Sequence, residues 1–315
     1  MRTMLLALLL AFGFAAPTAA ATSLAVGKAD AGASAIIPVN VGEKLGIFAK
    51  HGLDLKISDF TGGSKLFQAM TAGSIDIGVG AGPLMALELK GAPILAVCND
   101  SPAIPFIGIG VPWDSAVRSV DALTGATIGI SSAGSLTDWL AQQLARRNGW
   151  GSDGITEVAV GNALSAMIAA FRTHEIQAAV LTTADIFEME SKHEGRLLMP
   201  VSDFVGNIAA GAIFATRSLI ARDPQAIREF IAGWLDTIRY MRAHPAQAIK
   251  LESEVTGFAP GVQTEEFDHT ISMFSSTCRF DRQSLANLKQ SFVDLKIVSS
   301  SPDMAKLYTS DFLPR

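Results

Sequence analysis

Catalytic and metal-binding motifs are what this chain lacks. Its 315 residues hold two cysteines and five histidines, and no Cys stands beside a His in a pattern that would activate a thiolate. His51, His174, His193, His244 and His269 form no H-x-x-x-H pair and no Cys/His cluster, which argues against a zinc site. There is no G-x-S-x-G nucleophile elbow and no Walker loop. Gly78-Val79-Gly80-Ala81-Gly82-Pro83 is Gly-rich after a strand but lacks the G-x-G-x-x-G spacing, and a helix opening at Pro83 accounts for it without a dinucleotide. Basic runs, low-complexity segments and internal repeats of 20 to 50 residues are absent as well. With a net charge of −5, the chain is a poor partner for nucleic acid. Charged residues make up only 17% against 49% hydrophobic, which excludes disorder and permits large cores. The residues call for no cofactor.

The N-terminus carries a long apolar run. Arg2 is followed by an apolar stretch from Met4 to Ala16, interrupted only by Gly13, and then by the small residues of Thr18-Ala19-Ala20-Ala21. This is the pattern of a secretory leader, expected over residues 1–21. Its apolar core is shorter than the ~20 residues of a permanent membrane span. No Cys follows it to take a lipid, and no later segment is apolar enough to cross a bilayer. The mature chain is therefore expected to be exported and to lie in a periplasm. An oxidising compartment permits a disulfide. Cys98, however, ends the buried-strand pattern Pro93–Cys98, and Cys278 lies far along the chain in a helical pattern. The expectation is two buried free thiols.

Strand and helix patterns alternate along most of the chain. Two-residue periodicity or short apolar runs place strands at 23–28, 53–58, 75–79, 94–98, 106–111, 127–131, 155–160, 177–181, 197–200 and 211–216. A helix over 135–147 opens on the capping box Ser135-Leu136-Thr137-Asp138, presents Leu136, Trp139, Leu140 and Leu144 on one face, and stops at Asn148-Gly149. A second, over 224–243, opens on Asp223-Pro224 and runs Ile227, Phe230, Ile231, Trp234, Leu235, Ile238 and Met241 down one face. Both tryptophans are read as core. Asp185, Glu188 and Glu190 are read as a solvated helix face. The β-α-β alternation implies an α/β fold with mainly parallel sheets flanked by helices. Two sheets of about five strands suit this length better than one of ten.

Three stretches carry a resemblance. Leu45-Gly46-Ile47-Phe48-Ala49-Lys50-His51-Gly52-Leu53-Asp54-Leu55 is the end of a helix, a Gly stop and a strand. It is similar to the "G-L-F-x-K-x-G-L-D-V" signature of solute-binding proteins of ABC importers, in the nitrate/sulfonate/taurine branch. Gln68–Gly78 looks like that family's "A-L-x-A-G-E-I-D-I-G", and Asp121–Ile130 its "D-L-K-G-K-x-V-G-V". The three occur in family order, and the resemblance covers roughly residues 23 to 245. It implies a two-lobed periplasmic binding protein fold of type II with a ligand cleft between the lobes. Crossings are expected near Pro112-Trp113 and near Asn207–Ala210. Lobe 1 is then 22–112 plus 211–315, and lobe 2 is 113–210. The implied function is capture of a small solute, an oxyanion such as a sulfonate leading, and its delivery to a permease dimer with cytosolic ATPase subunits. A monomer without catalysis is implied. An enzyme of a pyrimidine or related pathway on the same fold, or a ligand-sensing partner of a membrane receptor, are the alternatives.

Six small, hydroxyl- or Gly-rich turns follow strands: Ala31–Ser34, Thr61–Ser64, Gly80–Gly82, Ser131–Ser135, Gly161–Ala163 and Thr182–Asp185. In open parallel sheets such junctions lie at the carboxyl ends of the strands, where ligands bind. Helix N-termini there offer N–H groups and partial positive charge to an anion. The candidate ligand-binding residues are Ser34, Gly63, Ser64, Gly82, Ser132, Ser135, Thr137, Asn162 and Thr183. Lys28 and Lys65 are the nearest cations in sequence. No metal ligands are proposed.

Overall fold

A computed structural model of the chain describes residues 21–151, 153–294, 298 and 302–314; the proposed leader lies outside them, apart from Ala21. Among the described residues, ten strands alternate with eleven α-helices. The strands are β1 (Thr22–Lys28), β2 (Leu53–Asp59), β3 (Ile77–Ala81), β4 (Ile94–Ser101), β5 (Ile107–Pro112), β6 (Ala126–Ile130), β7 (Ile155–Ala159), β8 (Ala178–Thr182), β9 (Gly195–Pro200) and β10 (Gly211–Thr216). The helices are α1 (Pro38–Lys44), α2 (Ile47–Lys50), α3 (Gly63–Thr71), α4 (Leu136–Arg147), α5 (Leu164–Arg172), α6 (Thr183–Ser191), α7 (Arg217–Arg222), α8 (Pro224–Ala243), α9 (Pro245–Thr256), α10 (Pro260–Thr270) and α11 (Arg282–Asp294).

The strands form two five-stranded sheets, ordered β2-β1-β3-β10-β4 and β7-β6-β8-β5-β9. Each sheet is parallel except for one strand, β10 in the first and β5 in the second, which runs antiparallel to both neighbours. Those two are the strands that arrive from the other sheet. Because β5 pairs with β8 and β9, the chain leaves the first sheet between Ser101 and Ile107. The expected crossing at Pro112-Trp113 is therefore corrected. The run over 106–111 reads as a strand, but its choice of sheet is set by pairing with segments far downstream. The return passage lies between Pro200 and Gly211.

Local signals act where the sequence places them. Gly52 takes a φ of 73° at the stop before β2. Ser135 caps α4, its Oγ accepting from the Asp138 N–H at 3.3 Å, while Asp138 Oδ2 accepts from Gly134 N–H at 2.6 Å. Asp223 caps α8 by accepting from Ala226 N–H at 3.0 Å. The apolar stripe of α8 packs on α1 and α2 and buries Phe230 and Trp234 completely; burying a side chain of this kind stabilises by roughly 1.5–3 kcal/mol. Trp139 is buried as well. Cys98 and Cys278 are fully buried and joined as a disulfide, which corrects the expectation of free thiols. Cys278 sits in the loop before α11, and Asn99 N–H donates to its carbonyl at 2.9 Å, laying that loop along β4.

Candidate functional site

The two sheets face one another across a cavity. Its wall includes residues from the turn after each of six parallel strands: Ala33 after β1, Gly62 and Gly63 after β2, Ala81 at the end of β3, Ser131 and Ser135 after β6, Gly161 and Asn162 after β7, and Thr182 and Asp185 at the end of β8. The remainder is largely apolar, with Ile36, Leu84, Phe106, Leu136, Met167 and Leu181 among its members. The centres of water-sized molecules can occupy about 90 Å³ of it. One water needs about 10–15 Å³ on that measure, so the cavity holds a few waters or one compact solute.

The lobes meet around this cavity through named contacts. Asn162 Nδ2 donates to the Ala29 carbonyl at 3.0 Å. Ser64 Oγ donates to the Ala133 carbonyl at 3.0 Å. Glu266 of α10 is fully buried and accepts from Thr183 Oγ1 at 2.7 Å and from Ser34 Oγ, so it joins the loop after β1 to the N-terminus of α6. Burial pushes the Glu266 carboxyl above the usual range, and the two hydroxyls oppose that shift. A further tie runs from α4 to the end of α11, where Gln143 Nε2 donates to Asp294 Oδ2 at 2.7 Å and Arg146 pairs with the same carboxylate.

Among the nine candidate residues, Gly63, Ser135, Thr137 and Asn162 line the cavity. The other five are placed elsewhere. Ser34 and Thr183 face Glu266. Ser64 spans the lobes at the rim. Gly82 packs against backbone: a Cβ there would come within 1.7 Å of the Ala209 carbonyl oxygen. Ser132 holds a buried Oγ without a partner among the described residues and lies against Gly62, whose hypothetical Cβ would sit 2.7 Å from it. Lys28 is buried, paired with Asp59 at 3.0 Å and donating to the Ala31 carbonyl at 2.8 Å. Lys65 donates to Thr61 Oγ1. Neither lines the cavity.

Two acids that sequence reasoning missed do line it. Asp30 Oδ1 accepts from Gly32 and Ala33 N–H at 2.8 and 2.9 Å, an Asx turn that Asp30-Ala31-Gly32 could have signalled. Asp185, read as part of a solvated face, instead turns into the cavity, where its Oδ2 accepts from Thr182 Oγ1 at 2.7 Å. Its supposed companions are held otherwise: Glu188 pairs with Lys192, and Glu190 accepts from Leu197 N–H. Burial pushes the Asp185 carboxyl up to about 7, helped by the charge of Asp30. Burial also raises Asp30, against the pull of its backbone N–H donors and Lys28. Among the described residues no group of His, Cys, Asp and Glu is arranged to hold a metal.

With this geometry in hand, comparison with known proteins decides the family. Residues 17–248 match the family described as NMT1/THI5 like. The chain belongs to that family. A relative in Brucella abortus, named a binding protein without a stated ligand, is 27% identical over 219 residues, 68% of this chain. The match spans 66% of that relative's length, just under two thirds. The alkanesulfonate-binding protein SsuA of Xanthomonas axonopodis pv. citri, solved with MOPS, superposes with a TM-score of 0.75 at 19% identity, over 90% of this chain and 95% of its own. The periplasmic aliphatic sulphonate binding protein SsuA of Escherichia coli gives 0.75 at 18%, over 91% and 92%. The desulfurization enzyme DSZB shares the fold too, at a TM-score of 0.64 and 14% identity, over 92% and 97%. The chain thus has the periplasmic binding protein fold, two lobes about a cleft, and that fold hosts both binders and an enzyme. No helix among the described residues is long and apolar enough to cross a membrane.

Proposed function

We propose that this protein is the solute-binding component of an ABC import system, acting as a monomer in the periplasm after loss of its leader. The observation that supports this reading is the cavity between the sheets, reached by all six strand-to-helix turns. Binding groups there come from both sides, so a ligand that touches both lobes favours the closed form by its differential affinity. Residues 107–200 move as one body against the rest, hinged at the passages 102–106 and 201–210. The closed face is what a permease dimer would read, with ATPase subunits behind it. Nothing on the cavity wall forms a nucleophile–base pair, so capture without turnover fits better than the enzyme alternative.

SsuA neighbours bind sulfonates, and an oxyanion here would find hydroxyls and backbone N–H groups but no cationic side chain on the wall. A thermal-shift screen tests the reading, using a library of organosulfonates, carboxylates, pyrimidines and amines. At least one compact solute should raise the melting temperature while chromatography finds it unchanged. Conversion of a stabilising solute, or no stabilisation by any class, would contradict solute capture.

A further inference from the structure

We infer that the cleft selects a compact amphiphilic cation, a protonated amine on a small apolar body, held between Asp30 of one lobe and Asp185 of the other. This rests on the solute-binding reading above and names the ligand class of that same site. Several of the features that would hold an anion are already taken by the protein's own acids, the N-termini of α3 and α5 being without a capping side chain or a first-turn acid. The N-terminus of α4 is served by Asp138, which accepts from Gly134 N–H. The first turn of α6 carries Asp185. The N–H groups after β1 are taken by Asp30. The hydroxyls are committed to one another: Ser131 Oγ lies 2.8 Å from Thr137 Oγ1 and donates to Ser135 Oγ at 3.0 Å, and Thr137 also accepts from Ser131 N–H. Lys28 is locked away by Asp59. An arriving anion would meet two carboxylates and no unpaired cation, in a largely apolar cavity where desolvated charge is costly.

For a cation the same wall is well made. Asp30 Oδ2 and Asp185 Oδ1 have no hydrogen-bond partner among the described residues, while their other oxygens are fixed by local donors. An ammonium group placed between them gains charge-assisted bonds from both lobes. It also cancels a repulsion that closure alone creates, since the charge of Asp30 bears on Asp185. The cation thereby drives closure rather than only filling the closed form. Asp185 is further faced by Glu266 from α10 and Glu188 on its own helix, and the charge of His269 bears on Glu266; all but His269 are acids. Because Asp185 titrates near 7, a cation that prefers the carboxylate should bind more tightly as pH rises from 6 to 8. An anion should do the reverse.

The test is calorimetric titration of the full mature protein with primary amines from butylamine to benzylamine, each beside the sulfonate and the alcohol of the same body. Wild type should bind an amine more tightly than its matched sulfonate and alcohol. Asp30→Asn and Asp185→Asn keep an oxygen for each local donor, and each should weaken amine binding by about tenfold to a hundredfold. The rise in affinity from pH 6 to 8 should vanish in Asp185→Asn. Amine responses that are equal in wild type and the double variant, absent binding included, would overturn the inference, as would tighter binding of the sulfonate. Tight sulfonate binding would leave solute capture standing and remove only the cation; failure of every class in the thermal-shift screen would remove solute capture itself.

Discussion

Read from its own first strand, each sheet has the same order: second, first, third, the strand that arrives from the other sheet, fourth. The halves differ in how the chain supplies that plan. The second sheet comes from one unbroken run, 107–200. The first is assembled from 22–101 and β10, then covered by α1, α2, α8 and α9 and cross-linked by Cys98–Cys278. Trp234, Phe48, Phe214, Phe230 and Phe292 are buried to 1% exposure or less, and all lie outside 107–200. The second sheet carries a separate cluster of Met167, Phe171, Ile176, Leu181, Ile186 and Met189 on one side. One strand plan thus yields a heavily clad lobe and a lighter one. The unequal cladding predicts that the first lobe is the stable base and the second the body that opens against it.

The largest expected effect breaks the first lobe alone. Replacing Cys98 and Cys278 by Ser removes a link across 180 positions and should cost about 2–5 kcal/mol in urea denaturation. Hydrogen exchange should show the loss in β4, β10 and α8, with 107–200 little changed. Equal loss in both lobes would contradict their difference. Next, Gly82→Ala drives a Cβ into backbone at Ala209 and should cost about 1–3 kcal/mol. Its comparison in the other lobe is Gly129→Ala in β6, whose Cβ would meet Ile176 Cδ1 at 2.7 Å and Met167 Sδ and Ala179 Cβ at 3.3 Å. The severe contact is with the flexible end of Ile176, and Ala179 must give by only a few tenths of an ångström, so the cost should be near the low end of that range, about 1 kcal/mol. Thermal unfolding of the two variants gives the order.

The two lobes also differ in their response to pH, through Asp100 in the first and Asp185 in the second. Asp100 in β4 is fully buried with neither carboxyl oxygen partnered among the described residues, and burial holds it well above the usual carboxylate range. The folded state keeps a proton that the unfolded chain releases near the ordinary value of about 3.9. Its contribution to stability is therefore full below that value and falls as pH rises towards the folded pKa. Asp100→Asn should flatten that fall in melting temperature against pH. Asp185→Asn should flatten part of the same fall, because burial raises its carboxyl too, to about 7, and should in addition weaken ligand affinity; a loss of affinity in Asp100→Asn but not in Asp185→Asn would contradict the assignment. The smallest effect is expected from Ser64→Ala, which loses the interlobe bond to Ala133, worth about 0.5–1.5 kcal/mol. It should shift the lobes toward the open form and weaken solute affinity by no more than about tenfold, read by titration.

What the sequence reveals follows the range of the interactions. All ten strands were legible from short apolar runs, and Ser135 and Asp223 marked helix starts through bonds to residues three positions on. The six turns of the cleft were legible because a strand-to-helix junction is a local event. The residues within each turn that face the cavity were legible only in part: Gly63, Ser135, Thr137 and Asn162 line it, and the other five candidates do not. Ser34 and Thr183 are turned aside by Glu266, 232 and 83 positions away. Cys98 and Cys278 meet across 180, and β5 joins its sheet through β8 and β9. Asp185 reads as one acid of a polar helix face until the first lobe is laid over it.

Capture of a solute between two lobes is tested most directly by small-angle X-ray scattering of the mature protein, with and without a solute that stabilises it. Closure of 107–200 onto the rest predicts a smaller radius of gyration at saturating solute, with Ser64→Ala starting larger and falling to the same value. A radius unchanged by a tightly bound solute would contradict closure as the means of capture.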